Sequence, residues 1–254
     1  MLIAITREVS VRITECELAH LAREPINLER ARAQHRQYED LLVELGCEIR
    51  KLPAEPELPD SVFVEDIAIV LGELTVITRP GAESRRAETA TVATVLKQYR
   101  KLFYIKPPGT LDGGDVLQIG KTLYAGLSQR SNQQGIEQLR KILSAFGYTV
   151  TAVTLHDCLH LKSAVTQVAD DTLLINRQWV DAAAFGQMRF IDVAPTEPFA
   201  ANAVRIGKTL VYPEAFPETR QRLEAQGIKV RTVDASELAK AEGGVTCCSL
   251  IFKG

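Results

Sequence analysis

Five times along its 254 residues the chain returns to one pattern. Two short apolar strands meet at a tight turn, an amphipathic stretch follows, and a third strand closes the unit. A unit of roughly 50 residues cannot bury its own apolar faces and must stack on its neighbours, so this repeat constrains the fold more than any other feature. Its clearest marker is a glycine ending the amphipathic stretch, with apolar residues three and six positions later. The sets are Gly46, Ile49, Leu52; Gly147, Val150, Val153; and Gly227, Val230, Val233. Glycine relaxes the left-handed position just past a helix, and the branched residues after it read as a strand. The spacing predicts helices over residues 28–45 behind an Asn27 cap, 131–146 and 217–226. Two further copies lack the glycine and end at Ile105 and Val193.

The strand pairs are equally regular. Residues 116–124 and 204–211 share the run Ile-Gly-Lys-Thr-Leu, and residues 67–77 and 164–175 turn at Gly72-Glu73 and Asp170-Asp171. The fifth first strand, 248–252, lies at the end of the chain, and its partner is residues 2–6 at the other end. The expected fold is α/β, a five-bladed pseudosymmetric α/β propeller of ββαβ repeats closed by the N- and C-terminal strands. Residues 1–254 then form a single domain whose ring has no open sheet edge.

Composition narrows the function classes. Hydrophobic residues make up 46% and charged residues 24%, an ordinary balance for a packed chain. A net charge of −2 gives no basic field to recruit nucleic acid or anionic lipid. The longest apolar run, Ile67 to Leu71, falls far short of the roughly 20 residues a membrane span needs. The opening MLIAITREVS carries no basic leader, and five cysteines are an odd number scattered apart from Cys247-Cys248. No disulfide framework is expected, and the cytoplasm is the expected location.

Aligning the copies puts Asp66, Asp115, Ser163, Asn202 and Cys248 at one equivalent position, where each first strand begins. Asp112 and His160 stand three residues before it in their copies, and Cys247 stands one residue before it in the last. An acid, an imidazole and a thiol would therefore converge on one end of a closed ring, which is the logic of nucleophile, proton carrier and charged partner. A lone histidine is more often structural, and a lone cysteine is more often a small buried hydrophobe. Their shared repeat position is what lifts the combination. His156, Cys158 and His160 would share one face of a strand, as zinc ligands can, but no second ligand pair has zinc-site spacing, so no structural metal is expected. Asp60, Glu65, Asp66, Asp112 and Asp115 concentrate negative charge suited to a planar guanidinium. Arg85 and Arg130 follow second strands near the expected caps Ser84 and Ser131. Arginine opposes the dipole at a helix start, which points to an anionic partner. Together these groups suit a zwitterionic amino acid with a basic side chain.

The runs PDSVFVEDIAIV (59–70), ITRPGAESRR (77–86), TLDGGDV (110–116), LSQRSNQQG (127–135), LHLKS (159–163), AAN (200–202) and GGVTCCSL (243–250) span nearly the whole chain. In this order they closely resemble the dimethylarginine dimethylaminohydrolase (dimethylargininase) family of the guanidino-group-modifying, or pentein, superfamily, whose fold is a five-bladed propeller of ββαβ units. The resemblance implies Cys247 as nucleophile, His160 as general acid/base and Asp112 as its acidic partner, a position that is Glu in some members. It implies Asp60, Glu65 and Asp66 as substrate contacts, Arg85 and Arg130 as the grip on the α-carboxylate, and Leu18 and Ala241 as lid and wall. Cys248 has no catalytic counterpart.

The implied activity is hydrolysis of N-ω-methylated arginine (asymmetric dimethylarginine or monomethylarginine) to citrulline and dimethylamine or methylamine, through a covalent thiouronium on cysteine. No metal or organic cofactor is required, although zinc bound between Cys247 and His160 would inhibit. The partner is a small-molecule substrate, with neither nucleic acid nor membrane, and a homodimer is compatible with the resemblance. The rival within the superfamily, arginine deiminase acting on unmethylated arginine, usually carries an inserted helical domain for which 254 residues leave no room. A catalytically silent arginine-binding propeller would need no nucleophile. Cys247→Ser is expected to abolish citrulline formation while Cys248→Ser largely spares it. Equal losses would overturn the assignment of the nucleophile.

Overall fold

The computed structural model describes residues 1–254 and arranges them as five three-stranded sheets. In every sheet the middle strand runs antiparallel to the first and parallel to the third. Blade one is Ala68–Val70, Leu74–Ile77 and Lys101–Tyr104. Blade two is Val116–Ile119, Thr122–Leu127 and Thr149–Thr154. Blade three is Val165–Ala169, Thr172–Ile175 and Arg189–Asp192. Blade four is Val204–Ile206, Thr209–Pro213 and Lys229–Val233.

Blade five joins the two ends of the chain. Leu2–Arg7 lies between Leu250–Lys253 and Cys47–Leu52, with Ile3 opposite Phe252 and Ile5 opposite Leu250. The Gly254 N–H donates to the Met1 carbonyl at 2.9 Å. The expected five-bladed α/β propeller with terminal closure is the observed fold.

Four blades carry the crossover helix that a parallel connection usually takes. Leu28–Glu44 starts at Asn27, whose side chain accepts the Arg30 N–H, and the helix before blade two's third strand is Gln133–Ser144. Blades one and four use Thr89–Leu96 and Pro217–Ala225. Gly46, Gly147 and Gly227 adopt φ of +92°, +74° and +76°, as the repeat required.

Three expectations change. Asn132, not Ser131, caps its helix, and Ser84 lies inside the 3₁₀ turn Glu83–Glu88, so neither serine opens a helix. The first strands of blades one and five begin at Ala68 and Leu250, because the residues ahead of them form turns. Blade three has no crossover α-helix, only the 3₁₀ turn Ala182–Phe185. Residues 176–188 form the shortest of the five connections, and Trp179 and Phe185 fill the helix's place, Phe185 packing on Tyr124 at 4.9 Å between rings.

The core is divided as the blades are. Five clusters of buried apolar side chains each occupy one interface between neighbouring sheets. The cluster between blades five and one joins Ile3, Ile5, Leu250 and Phe252 to Ile67, Ile77, Val92 and Leu96. No helix is long and apolar enough to cross a membrane. Ile5 is fully buried in that closing interface. Ile5→Ala is expected to cost about 3 kcal/mol through lost burial and the cavity left behind. The check is a lower urea midpoint at unchanged slope, and a wild-type midpoint would show that the closing interface adds little.

Candidate active site

The turns leading into the first strands all lie at one end of the ring. Val64–Ile67, Gly113–Asp115 and Leu161–Ala164 are short helical turns, and residues 245–248 form a fourth turn ahead of Leu250. These turns bring Asp66, Asp112, His160 and Cys247 together, although more than 180 residues separate the first from the last. A pocket opens there, lined by Asp60, Asp66, Arg85, Arg130, His160, Ala241 and Cys247, with Glu17, Phe63, Leu159, Glu242 and Gly243 completing the wall.

His160 is held between carboxylates. Its Nε2 lies 3.1 Å from Asp112 Oδ2, and its Nδ1 lies 3.9 Å from Asp66 Oδ1. Burial opposes the imidazolium, but Asp66, Asp115 and Asp112 outweigh it and raise the His160 pKa to about 9. Burial likewise opposes the Asp66 carboxylate; His160, Arg85 and the Gly114 N–H overcome it and bring its pKa down to about 2. Asp112 is fully buried, and its Oδ1 also accepts the Gly81 N–H at 2.9 Å. Gly114 lets these groups approach, since a Cβ there would lie 2.7 Å from both Asp66 Oδ1 and His160 Nδ1.

Cys247 is a thiol at rest. Burial first, then Glu65 and Asp66, pushes its pKa up to about 12. The Gly244 N–H points at Cys247 Sγ at 3.3 Å. Cys248 is buried on the other side of the turn, in the core between blades four and five, and its Sγ–H points at the Gly244 carbonyl at 3.6 Å.

The other expected site residues fall into two groups. Asp60 lines the pocket, accepts the Glu17 N–H at 3.1 Å, and has its pKa raised by burial. Arg130 also lines it, and its buried Nη1 has no hydrogen-bond partner. Arg85 reaches the pocket with its donors already engaged. Nη1 meets Asp66 Oδ2 at 2.6 Å, Nε and Nη2 meet Glu88, and Nη2 also meets the Phe63 carbonyl at 3.0 Å. Glu65 and Leu18 do not line the pocket. Glu65 sits beneath it, with Lys162 Nζ at 2.5 Å and Thr246 Oγ1 at 2.7 Å, because neighbouring residues in the 64–67 turn point in different directions. Leu18 is half-buried and packs against the core between blades four and five.

The sequence reading passed over three groups. Glu242, in the left-handed region at φ +59°, accepts the N–H groups of Ala19, His20 and Leu21 at 2.6–3.0 Å and ties the 17–21 loop over the pocket. Glu17 receives the Ser84 hydroxyl at 2.5 Å, and Lys162 neutralises Glu65. The expected one-faced run of His156, Cys158 and His160 is not realised. The strand ends at Thr154, and Asp157 takes φ +49° in the loop that follows. The three ligand-type groups that do cluster are Asp66, Asp112 and His160, all within 4.8 Å of one another.

The arginine deiminase family model matches residues 54–216. The N(G),N(G)-dimethylarginine dimethylaminohydrolase of Pseudomonas aeruginosa is 35% identical over 225 residues, covering 88% of this chain and 89% of that protein. Its counterpart from Streptomyces coelicolor is 39% identical over 248 residues, covering 97% and 95%. The solved structure of the Pseudomonas enzyme, a cysteine-to-serine mutant complexed with citrulline, superposes with a TM-score of 0.93 at 32% identity over 98% of both chains. The N-terminal domain of the cyanobacterial arginine dihydrolase ArgZ superposes at 0.86 with 20% identity over 99% and 98%, a likeness of fold alone. On the extent and identity of these matches, the chain belongs to the dimethylarginine dimethylaminohydrolase family.

Proposed function

We propose that the protein hydrolyses N-ω-methylated L-arginine to citrulline, releasing dimethylamine or methylamine. One arrangement carries this reading. Asp66, His160 and Cys247 line the same pocket as Asp60 and Arg130, whose buried Nη1 has no hydrogen-bond partner. A substrate with an ammonium and a carboxylate at one end and a guanidinium at the other would find a partner for each charge among these groups. Arg130 supplies the free donor for the α-carboxylate, and Arg85 adds its charge while its donors hold Asp66. Asp60 faces the α-ammonium, and Ala241 forms part of the wall. Leu18 belongs to the loop that Glu242 ties down, and Glu65 acts from below through its charge.

The proton inventory fits this chemistry. At neutral pH the pocket holds a thiol and an imidazolium. Binding a guanidinium beside Cys247 offsets the field of Glu65 and Asp66, and the thiol releases its proton to solvent. The thiolate attacks the guanidinium carbon and forms the S–C bond. His160 gives its proton to the substituted nitrogen, the C–N bond breaks, and neutral amine departs from a thiouronium cation. The now neutral His160 takes a proton from water, hydroxide adds to the same carbon, and the C–S bond breaks to leave citrulline and the free cysteine. Asp112 holds the imidazole ring through both proton transfers. These steps use only protein groups and water, so no cofactor is assigned. All five cysteines are unpaired, which supports a reducing, cytoplasmic setting.

The match to the arginine deiminase model favours one second reading, the same chemistry on unmethylated arginine. Incubation with each substrate, followed by assay of citrulline and of ammonia or dimethylamine, decides between them. Citrulline from arginine alone would replace the proposed substrate, and citrulline from neither would end the enzymatic reading.

Two further outcomes are expected. Arg130→Ala removes a charge-assisted bond, which should raise KM roughly 10- to 100-fold with kcat little changed. A decarboxylated analogue should be indifferent to the change, and an equal effect on both ligands would remove Arg130 from the carboxylate. Loss of one carboxylate that stabilises the imidazolium lowers its pKa, so Asp112→Asn should move the His160 midpoint below about 9, followed by NMR of the ring protons. An upward move would contradict the electrostatic account.

A further inference from the structure

The five repeat-equivalent residues, Asp66, Asp115, Ser163, Asn202 and Cys248, stand one or two positions ahead of their blades' first strands. Three of them make the same contact. Asp66 Oδ1 accepts the Gly114 N–H, Asp115 Oδ1 accepts the Leu161 N–H and Asn202 Oδ1 accepts the Thr246 N–H, each at 3.0 Å. In every case the donor belongs to the leading turn of a neighbouring blade. In every case it also lies within two residues of Asp112, His160 or Cys247.

The remaining two junctions are made differently. The Ser163 side chain makes no hydrogen bond across to blade four; instead Asn202 Nδ2 donates back to the Lys162 carbonyl at 3.0 Å. Between blades five and one the Glu65 N–H donates to the Cys247 carbonyl at 3.1 Å.

We infer that Asp115 and Asn202 are positioning residues, Asp115 setting the His160 turn against Asp112 and Asn202 setting the Cys247 turn. The inference rests on the roles proposed above for His160 and Cys247. Asp115 is fully buried, and its Oδ2 accepts the hydroxyls of Ser128 and Ser131, both at 2.6 Å. Ser131 Oγ in turn accepts the Asp112 N–H at 3.0 Å. One carboxylate thus connects the acid's backbone to the backbone beside the imidazole.

Asn202 grips the residue before the nucleophile twice. Its Oδ1 takes the Thr246 N–H, and its Nδ2 donates to Thr246 Oγ1 at 2.9 Å, whose hydroxyl continues to Glu65. The backbone lies directly against the carboxamide, for a Cβ on Gly244 would fall 2.4 Å from Asn202 Oδ1. Removing either side chain leaves a buried amide without a partner. It also frees a reacting group to shift by a fraction of an ångström.

The test uses Asn202→Ala, Asp115→Ala, Asp115→Asn and Ser163→Ala in the full chain, with melting temperature measured for each. A misplacement of about 1 Å costs on the order of 100-fold, so both alanine variants should lose about that much kcat on asymmetric dimethylarginine with KM within about 3-fold of wild type. Asp115→Asn keeps an acceptor for Leu161 and should recover most of the loss, whereas Ser163→Ala should behave as wild type. Iodoacetamide labelling, read by peptide mass spectrometry, adds a measurement independent of turnover. Asn202→Ala should speed labelling of Cys247 by exposing the thiol, without speeding Cys16 or Cys47, and Asp115→Ala should leave Cys247 labelling unchanged.

Wild-type kcat in both alanine variants would overturn the inference, as would uniform labelling of every cysteine in Asn202→Ala. Asp115→Asn as inactive as Asp115→Ala would assign the effect to charge and not to position. Absence of turnover in wild type would defeat the proposed reaction, while the labelling pattern would still decide whether Asn202 fixes the Cys247 turn.

Discussion

Leu2 to Ile5 pair with Leu250 to Lys253, and through those four residue pairs the two ends of the chain become one sheet. Everything at the axis depends on that pairing. Each blade buries its faces against two neighbours, so an open row of five would leave two apolar faces exposed. Closure also supplies geometry. Cys247 arrives on the blade completed by the first strand of the chain, and Asp66 arrives on the next blade around the ring. Without the terminal pairing, thiol and carboxylate would sit at opposite ends of an open array.

Convergence at the axis has an electrostatic cost that the structure offsets by alternation. Glu88, Arg85, Asp66, His160 and Asp112 form a buried line in which neighbouring charges have opposite sign. Breaking one such pair strands a charge in a poorly polarisable interior, at about 3–5 kcal/mol. The line therefore fixes protonation states as well as positions. Asp66 remains a carboxylate and His160 an imidazolium because each is the other's counter-ion. At Cys247, burial and the charges of Glu65 and Asp66 outweigh that of Lys162, which keeps the proton on sulfur.

Much of this was written in local signals. The glycines at 46, 147 and 227 and the two Ile-Gly-Lys-Thr-Leu turns mark the blades, because helix ends and hairpins are decided by neighbours in sequence. The shared offset of Asp112 and His160 from their strands placed acid and imidazole together, since equivalent positions in a ring face one axis. What escaped depends on distant contacts or exact side-chain direction. Nothing near Glu242 announces that it holds amides more than 220 residues away. Arg85 reads as a helix-start arginine, yet its 3₁₀ turn points it inward to Asp66 and Glu88. Blade three lost its helix to Trp179 and Phe185, whose packing role no periodicity reveals.

The bond from Gly254 to Met1 gives the ring a property that no single blade has. A short peptide bridge between these residues would make the backbone a circle, and a cut at the exposed Gly120-Lys121 turn would then give the chain a new beginning. Such a rearranged order would keep every blade and every interface, because the five core clusters lie between blades and do not depend on which blade comes first. The present start of the chain, midway through one sheet, is one of several that the same circle permits.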